Sequence, residues 1–259
     1  MHSGKFGETT EQGRADVTTQ ASEQDRQQAR SGRSTPATRS PSMDRLCRDP
    51  GYPELLAISR NRQLARHRVV IEAGARPTCL YLLISGLCAV RQTGSRGQDL
   101  LLAYLCPGDF FGEMGMLPGV QARSARIDAS ADSTLLEIPY DEFLKLTHRH
   151  PSFWLELAGQ LATRLRTTNH RLAEMPALHA AERVWRALSG VVADGGGKRV
   201  PGGQALRITR QDLGKLAGCS RELAGTIIRD LAISGRLELR GQTLVLLDQP
   251  LPSQAAPVA

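Results

Sequence analysis

Between Phe110 and Ala125 the chain reads FFGEMGMLPGVQARSA, a stretch whose side chains could hold an anion and a sugar together. Gly112 lets a ligand approach the backbone, since no Cβ stands in the way. Glu113 offers a carboxylate to ribose-type hydroxyls. Residues Glu113 to Leu117 could form a short helical turn whose free N–H groups face an anion. Arg123 supplies a permanent charge in a forked geometry that matches phosphate, and Ser124 places a hydroxyl donor beside it. A glycine-rich loop followed by an arginine also occurs in chains that bind no phosphate, so the elements around it must decide.

Those elements divide the chain. The runs VVIEAG, LYLLISGLCAVRQ and LLLAYLCPGDFFG are short and β-rich, punctuated by Gly74, Gly86, Gly94, Gly97 and Gly108. Thr93 to Gly97 reads as a hairpin loop, and Ile127 to Ile138 adds strand material. Residues 53–150 are therefore expected to form a small β barrel or sandwich, led in by a short helix from Pro53 to Ile58. Pro151 opens a long helical stretch, with helix and hinge together spanning 151–178. Its apolar residues Trp154, Leu157, Leu161, Leu165, Leu172 and Met175, with Thr168 among them, are spaced mostly by three and four, close to a coiled-coil repeat. A two-stranded homodimer seam is the expectation; a helix packed on its own domain is the alternative. Thr168 is polar on that stripe and needs a partner there, and Asn169 follows it. Pro176 should end the helix near Glu174, which makes Met175 to His179 a hinge candidate.

Residues 179–248 carry a second pattern. His179 to Val192 has the apolar face Val184, Trp185, Leu188 and Val191 and stops at Asp194-Gly195-Gly196-Gly197. Thr209 is a good N-cap with Asp212 three residues on, in a capping-box arrangement. Gly218-Cys219 turns the chain and Ser220 caps a second helix. Ala224, Ile227, Ile228 and Leu231 face inward there, leaving Arg221, Glu222, Thr226 and Arg229 outside. Leu237–Leu239 and Thr243–Leu247 pair around Gly241 as a wing. Two helices on a tight turn also occur in proteins that never touch DNA. Here eleven basic against seven acidic residues from Ala180 to Asp248 keep the region positive.

Composition sets the outer bounds. The 259 residues, 41% hydrophobic, are enough for two ordinary domains with real cores, and the net charge of +7 favours an anionic partner. Residues 1–50, rich in Ser, Thr, Gln and Arg, read as a disordered tail. The N-terminus lacks a signal-peptide core and no apolar run approaches a membrane span, so a cytoplasmic location without a membrane partner is expected. The five cysteines are odd in number and widely spaced, which suits reduced thiols rather than a metal site. No nucleophile–base pair stands out, so no enzyme is expected.

The string from Phe110 to Ala125 resembles the phosphate-binding cassette of cyclic-nucleotide-binding domains. Ile208 to Leu247, with Ile-Thr-Arg-Gln and then Gly-Cys-Ser-Arg-Glu, resembles the winged helix-turn-helix of the CRP/FNR regulators, in their cyclic AMP receptor branch. The resemblance spans residues 64–247. It implies an α+β chain: an N-terminal cyclic-nucleotide-binding β-roll, a long dimerisation helix and a C-terminal winged helix-turn-helix. It implies a nucleotide held by Gly112, Glu113, Arg123, Ser124, Thr168 and Asn169, where Asn169 replaces the usual serine. It implies a palindromic double-stranded DNA site met by Arg210, Gln211, Ser220, Arg221, Glu222, Thr226 and Arg229, with Thr226 in place of the usual arginine. Arg221 would bind guanine bidentately and Glu222 accept from cytosine; Arg210 and Arg229 would take phosphates. RNA polymerase is the implied further partner. Cyclic AMP is the first effector expected and cyclic di-GMP the second. A ligand-sensing module that binds protein instead of DNA is the reading from another class.

Overall fold

Strand β3 (Cys79–Ser85) is apolar at nearly every position because both of its faces are covered. Cys79, Tyr81 and Leu83 point into the interior of a roll, while Leu80 and Leu82 point out against helices. The computed structural model describes residues 40–94, 97, 99–174 and 178–248, and these described residues pack as one unit. The roll is made of two antiparallel sheets. One has the order β1 (Arg60–Leu64), β8 (Ser133–Pro139), β3, β6 (Phe110–Phe111); the other has the order β2 (Val69–Ile71), β7 (Arg126–Ala129), β4 (Cys88–Thr93), β5 (Asp99–Leu105). Their inner faces share the core of Val70, Ile71, Leu105, Phe111, Ile127 and Leu135. The mixed helix-and-sheet class expected from the sequence is what the chain forms.

The outer face of the first sheet is roofed by helices α1 (Pro41–Arg48), α2 (Tyr52–Ile58), α3 (Tyr140–Arg149) and the start of α4 (Ser152–Glu174), through Leu46, Leu55, Phe143, Phe153 and Leu157. Helix α1 corrects the expectation of a disordered tail through residue 50. Ser40 caps it, accepting from the Met43 N–H, Pro41 occupies the first turn, and Met43 and Leu46 are buried. The Ser40 hydroxyl also donates to the Pro107 carbonyl, and Arg45 pairs with Glu156 at 3.0 Å. Residues 1–39 lie outside the described residues.

Helix α4 also refines the expected stripe. Leu157 is 4% exposed and belongs to the chain's own core, so it is not on the seam. The outward apolar line runs through Trp154, Ala158, Leu161, Leu165 and Thr168, all exposed. The side chain of Leu172, together with Met175 and the hinge proline Pro176, lies outside the described residues.

The outer face of the second sheet carries the C-terminal elements. Helix α5 (Ala180–Ala193), strands β9 (Lys198–Val200) and β10 (Gly203–Leu206), helices α6 (Arg210–Ala217) and α7 (Arg221–Ile233), and strands β11 (Leu237–Arg240) and β12 (Thr243–Leu247) follow. Val184, Leu188, Leu213, Ile227, Ile228, Leu231 and Leu244 form their core, and Leu87, Ala89, Leu101 and Cys106 of the roll belong to that same core.

Candidate ligand cavity and nucleic-acid interface

Gly112 follows β6 in the left-handed region, φ 81°, and a 3₁₀ turn over Glu113–Met116 begins at once. Without a Cβ, Gly112 leaves space that Arg123 fills: a Cβ there would stand 2.6 Å from Arg123 Nη1. The glycine thus makes room for the arginine. Arg123 reaches this place from the loop before β7, and its guanidinium is fully engaged on one side. Nη1 donates to the Gly112 carbonyl at 2.8 Å and to the Tyr140 hydroxyl at 2.8 Å, and Nη2 donates to the Cys79 carbonyl at 2.7 Å. Tyr140 in turn donates to the Gly112 carbonyl at 2.6 Å. Burial pushes the Tyr140 hydroxyl up from its ordinary pKa, which keeps it a donor. The rings of Tyr81 and Tyr140 flank the guanidinium carbon, each 5.8 Å away.

Arg123 is only 9% exposed, yet its acceptors are carbonyls and a hydroxyl; among the described residues no carboxylate forms an ion pair with it. A buried cation without an anion is costly, and a bound anion would remove that cost. The cavity beside it has a volume of about 220 Å³. Gly112, Glu113, Ser124 and Arg164 line its polar side, and Val90 and Leu102 are among its apolar walls. The site therefore offers one buried positive charge, one carboxylate and an apolar shelf in a single recess.

Arg164, absent from the sequence expectation, is the cavity's second cation. It donates from Nη2 to the Phe110 carbonyl at 2.6 Å and lies 3.7 Å from Asp109 and 4.0 Å from Glu113. Gln160, one turn earlier, accepts from the Phe110 N–H and donates to the Gly108 carbonyl, both at 2.8 Å. These two polar residues on the inward side of α4 fix the long helix to the cassette strand. Thr168 and Asn169 are not brought into the cavity: both are exposed, and the Thr168 hydroxyl donates back to the Arg164 carbonyl. Ser124 is exposed, with its hydroxyl 3.4 Å from the Met114 sulfur.

The DNA candidates lie at the other end of the C-terminal elements. Thr209 caps α6 by accepting from the Asp212 N–H, and Gly218 ends it in the left-handed region at φ 64°. Gly214 must stay small, because a Cβ there would lie 2.8 Å from the Cys219 carbonyl across the turn. Ser220 caps α7, accepting from the Leu223 N–H at 3.1 Å. Arg210, Gln211, Arg221, Glu222, Thr226 and Arg229 are all exposed, and Arg210 lies over Gly225 of α7. The Thr226 hydroxyl donates to the Glu222 carbonyl and accepts from Arg229, both at 3.2 Å. A groove of about 480 Å³ runs past Arg210, Gln211 and Arg221 to Gln242 of the wing, and Arg66 of the roll lines it too. Arg66 lies 144 positions before Arg210 in the chain, so no local signal in the sequence joins them.

Residues 61–150 match the cyclic nucleotide-binding domain. The chain is 31% identical over 196 residues to the cAMP-activated global transcriptional regulator Vfr of Pseudomonas aeruginosa, covering 74% of this chain and 92% of Vfr. It is 34% identical over 198 residues to the cAMP-activated global transcriptional regulator CRP of Pasteurella multocida, covering 76% and 95%. Among solved structures, the c-di-GMP-responsive global regulator CLP of Xanthomonas campestris matches with a TM-score of 0.63 and 29% identity over 77% of this chain and 99% of that one.

Proposed function

We propose a function from one premise: the chain belongs to the CRP/FNR family of transcriptional regulators. It is a cyclic-nucleotide-responsive regulator of transcription. Nucleotide binds in the recess of Gly112, Glu113, Arg123 and Ser124, and α7 reads double-stranded DNA through Arg221, Glu222 and Thr226. The observation that carries the ligand half is the buried, anion-less Arg123 beside the cavity. One uncompensated buried cation suits a ligand with one phosphate, so cyclic AMP is the effector we favour, as in Vfr and CRP. Cyclic di-GMP, with two phosphates, is the second reading; the likeness to CLP favours it, and so does Asn169 in place of the usual serine.

The exposed line Trp154, Ala158, Leu161, Leu165 and Thr168 supports a homodimer whose two α7 helices enter successive major grooves of a palindromic site. Action on RNA polymerase would follow from that DNA-bound dimer in the cytoplasm. Calorimetry of the purified protein with cyclic AMP and cyclic di-GMP, followed by fluorescence anisotropy on a selected duplex with and without each nucleotide, tests the reading. Binding of neither nucleotide would refute the ligand half. DNA binding independent of both salt and sequence would refute the other. For the dimer, Leu161→Asp with Leu165→Asp should give monomers in sedimentation, because each carboxylate would be buried unpaired.

A further inference from the structure

The sheet β2–β7–β4–β5 serves two clients. Val90 and Leu102 line the nucleotide cavity on its inner face. Their neighbours Ala89 and Leu101, pointing the other way, belong to the core shared with α5, α6 and α7. Arg91 crosses from this sheet to the DNA-reading elements. Its Nη1 and Nη2 donate to the two carboxylate oxygens of Asp212 in α6 at 2.8 and 3.2 Å, and its Nε donates to Asp128 of β7 at 2.8 Å. Asp99 of β5 lies 3.5 Å from Arg91 and 2.8 Å from Lys215 of α6. Two cations and three carboxylates therefore alternate across the boundary, and the Arg91 side chain at its centre is only 17% exposed.

We propose that Arg91 is a positioning residue for DNA reading: it holds the first helix of the helix-turn-helix on the back of the nucleotide sheet, so that occupancy of the cavity is felt by the recognition helix. This rests on the reading of the chain as a nucleotide-responsive DNA-binding regulator. A bidentate arginine fixes direction as well as distance, which a point charge does not. Burial pushes the Asp212 carboxyl up, but the hydrogen bonds and charge of Arg91 outweigh it and hold that group below its ordinary range. Asp212 is also the residue whose N–H the Thr209 cap takes, so the contact lands on the rigid first turn of α6. In this docked arrangement Arg221, Glu222, Thr226 and Arg229 stay exposed, so the pose is open to DNA. Burial pushes the Tyr104 hydroxyl well above its ordinary range, in a side chain packed against the same shared core.

The test uses the full chain with Arg91→Gln, Arg91→Lys, Asp212→Asn and the double variant Arg91→Gln/Asp212→Asn. The coupling factor is the ratio of DNA affinities with and without saturating cyclic AMP, with cyclic di-GMP as the parallel probe. Arg91→Gln should lower that factor about fivefold or more while nucleotide still binds. Arg91→Lys should fall between, because lysine cannot span both carboxylate oxygens. The double variant should be no worse than Arg91→Gln alone. A wild-type coupling factor in Arg91→Gln, or losses that simply multiply in the double variant, would overturn the proposal. A second readout needs no nucleotide: amide exchange at Leu101 of β5 and Leu213 of α6 should quicken together in Arg91→Gln. If the wild type ignores both nucleotides, the functional reading fails. The exchange result then decides the contact by itself: unchanged exchange at both positions sinks it, and joint quickening upholds the docking it describes.

Discussion

Arg123 and Arg221 are both arginines that face phosphodiester or base acceptors in the proposed function, yet the chain keeps them in opposite states. Arg123 is nine-tenths buried, and three oxygen acceptors already hold its guanidinium before any ligand arrives. Arg221 stands in solvent at the first turn of α7, on a helix whose cap, Ser220, is satisfied independently of it. The first arrangement is pre-organised: the ligand meets a fixed charge in a low-dielectric recess, where an ion pair is strong and little screened. The second leaves a long side chain free to search base edges, in an environment where salt screens each contact. A sensor for one small molecule gains from the first, and a reader that must slide along DNA gains from the second.

Breaking the buried side should give the largest effect. Arg123→Leu removes the counter-charge of a partly desolvated phosphate, a cost of about 2–5 kcal/mol, so nucleotide affinity should fall roughly 30-fold or more in calorimetry. DNA affinity without nucleotide should stay near wild type. A mutant that still answers nucleotide like the wild type would place the effector elsewhere.

On the exposed side the cost is smaller and has a different signature. Arg221→Ala should weaken binding by about 1–3 kcal/mol on the preferred duplex and relax preference at one base pair of each half-site. Arg229→Ala should weaken all sequences alike and make the salt slope shallower by about one for each phosphate it no longer neutralises. If the two variants behaved alike across salt and sequence, base reading and phosphate holding would not be divided as described.

A third contrast concerns the caps that position the reading helix. Ser220→Ala removes the acceptor for the Leu223 N–H and should lower stability by about 1 kcal/mol. Thermal unfolding should register it, with nucleotide affinity unchanged. A fall in nucleotide affinity of the same size would mean that the two ends of the chain do not separate in this way.

What could be read from the sequence follows the same division. Caps, turns and short-range patterns were legible: Thr209 and Ser220 cap the helices expected of them, and Gly241 turns the wing at φ 61°. The short β-rich runs of the roll, punctuated by glycines, and the inward set Ala224, Ile227, Ile228 and Leu231 were legible for the same reason. The illegible features depend on distance along the chain or on a difference of one position. Arg91 meets Asp212 across 121 residues, and Arg123 meets the Cys79 carbonyl across 44. Leu157 and Ala158 differ by one step on a helix whose period lies between 3.5 and 3.6, and only packing puts the first inside and the second outside. Helix α1 has two buried apolar residues in eight, too few to rise above the polar composition around it. Arg164 and Gln160 are polar residues in an amphipathic helix, where solvent exposure is the default expectation.

The smallest expected effect tests the finest detail of the exposed face. The Thr226 hydroxyl already donates to the Glu222 carbonyl and accepts from Arg229, so it is engaged within its own helix and the methyl is the part of the side chain left for a base. A methyl can contact the methyl of thymine but cannot bind guanine through two hydrogen bonds. Thr226→Val keeps a methyl at that position and removes only a hydroxyl engaged with its own helix. Its DNA affinity should therefore stay within about 0.5 kcal/mol of wild type, as is usual for an exposed substitution, and the preferred duplex should not change. Thr226→Arg alters the chemistry that faces the groove, and selection from a random duplex library should return a motif with guanine at one position per half-site. Identical motifs for Thr226→Arg and the wild type would remove Thr226 from the reading face. A large drop in affinity with Thr226→Val would mean that the hydroxyl turns away from its helix to meet a base. Either result would shift the boundary between satisfied and searching side chains that separates this face from the cassette.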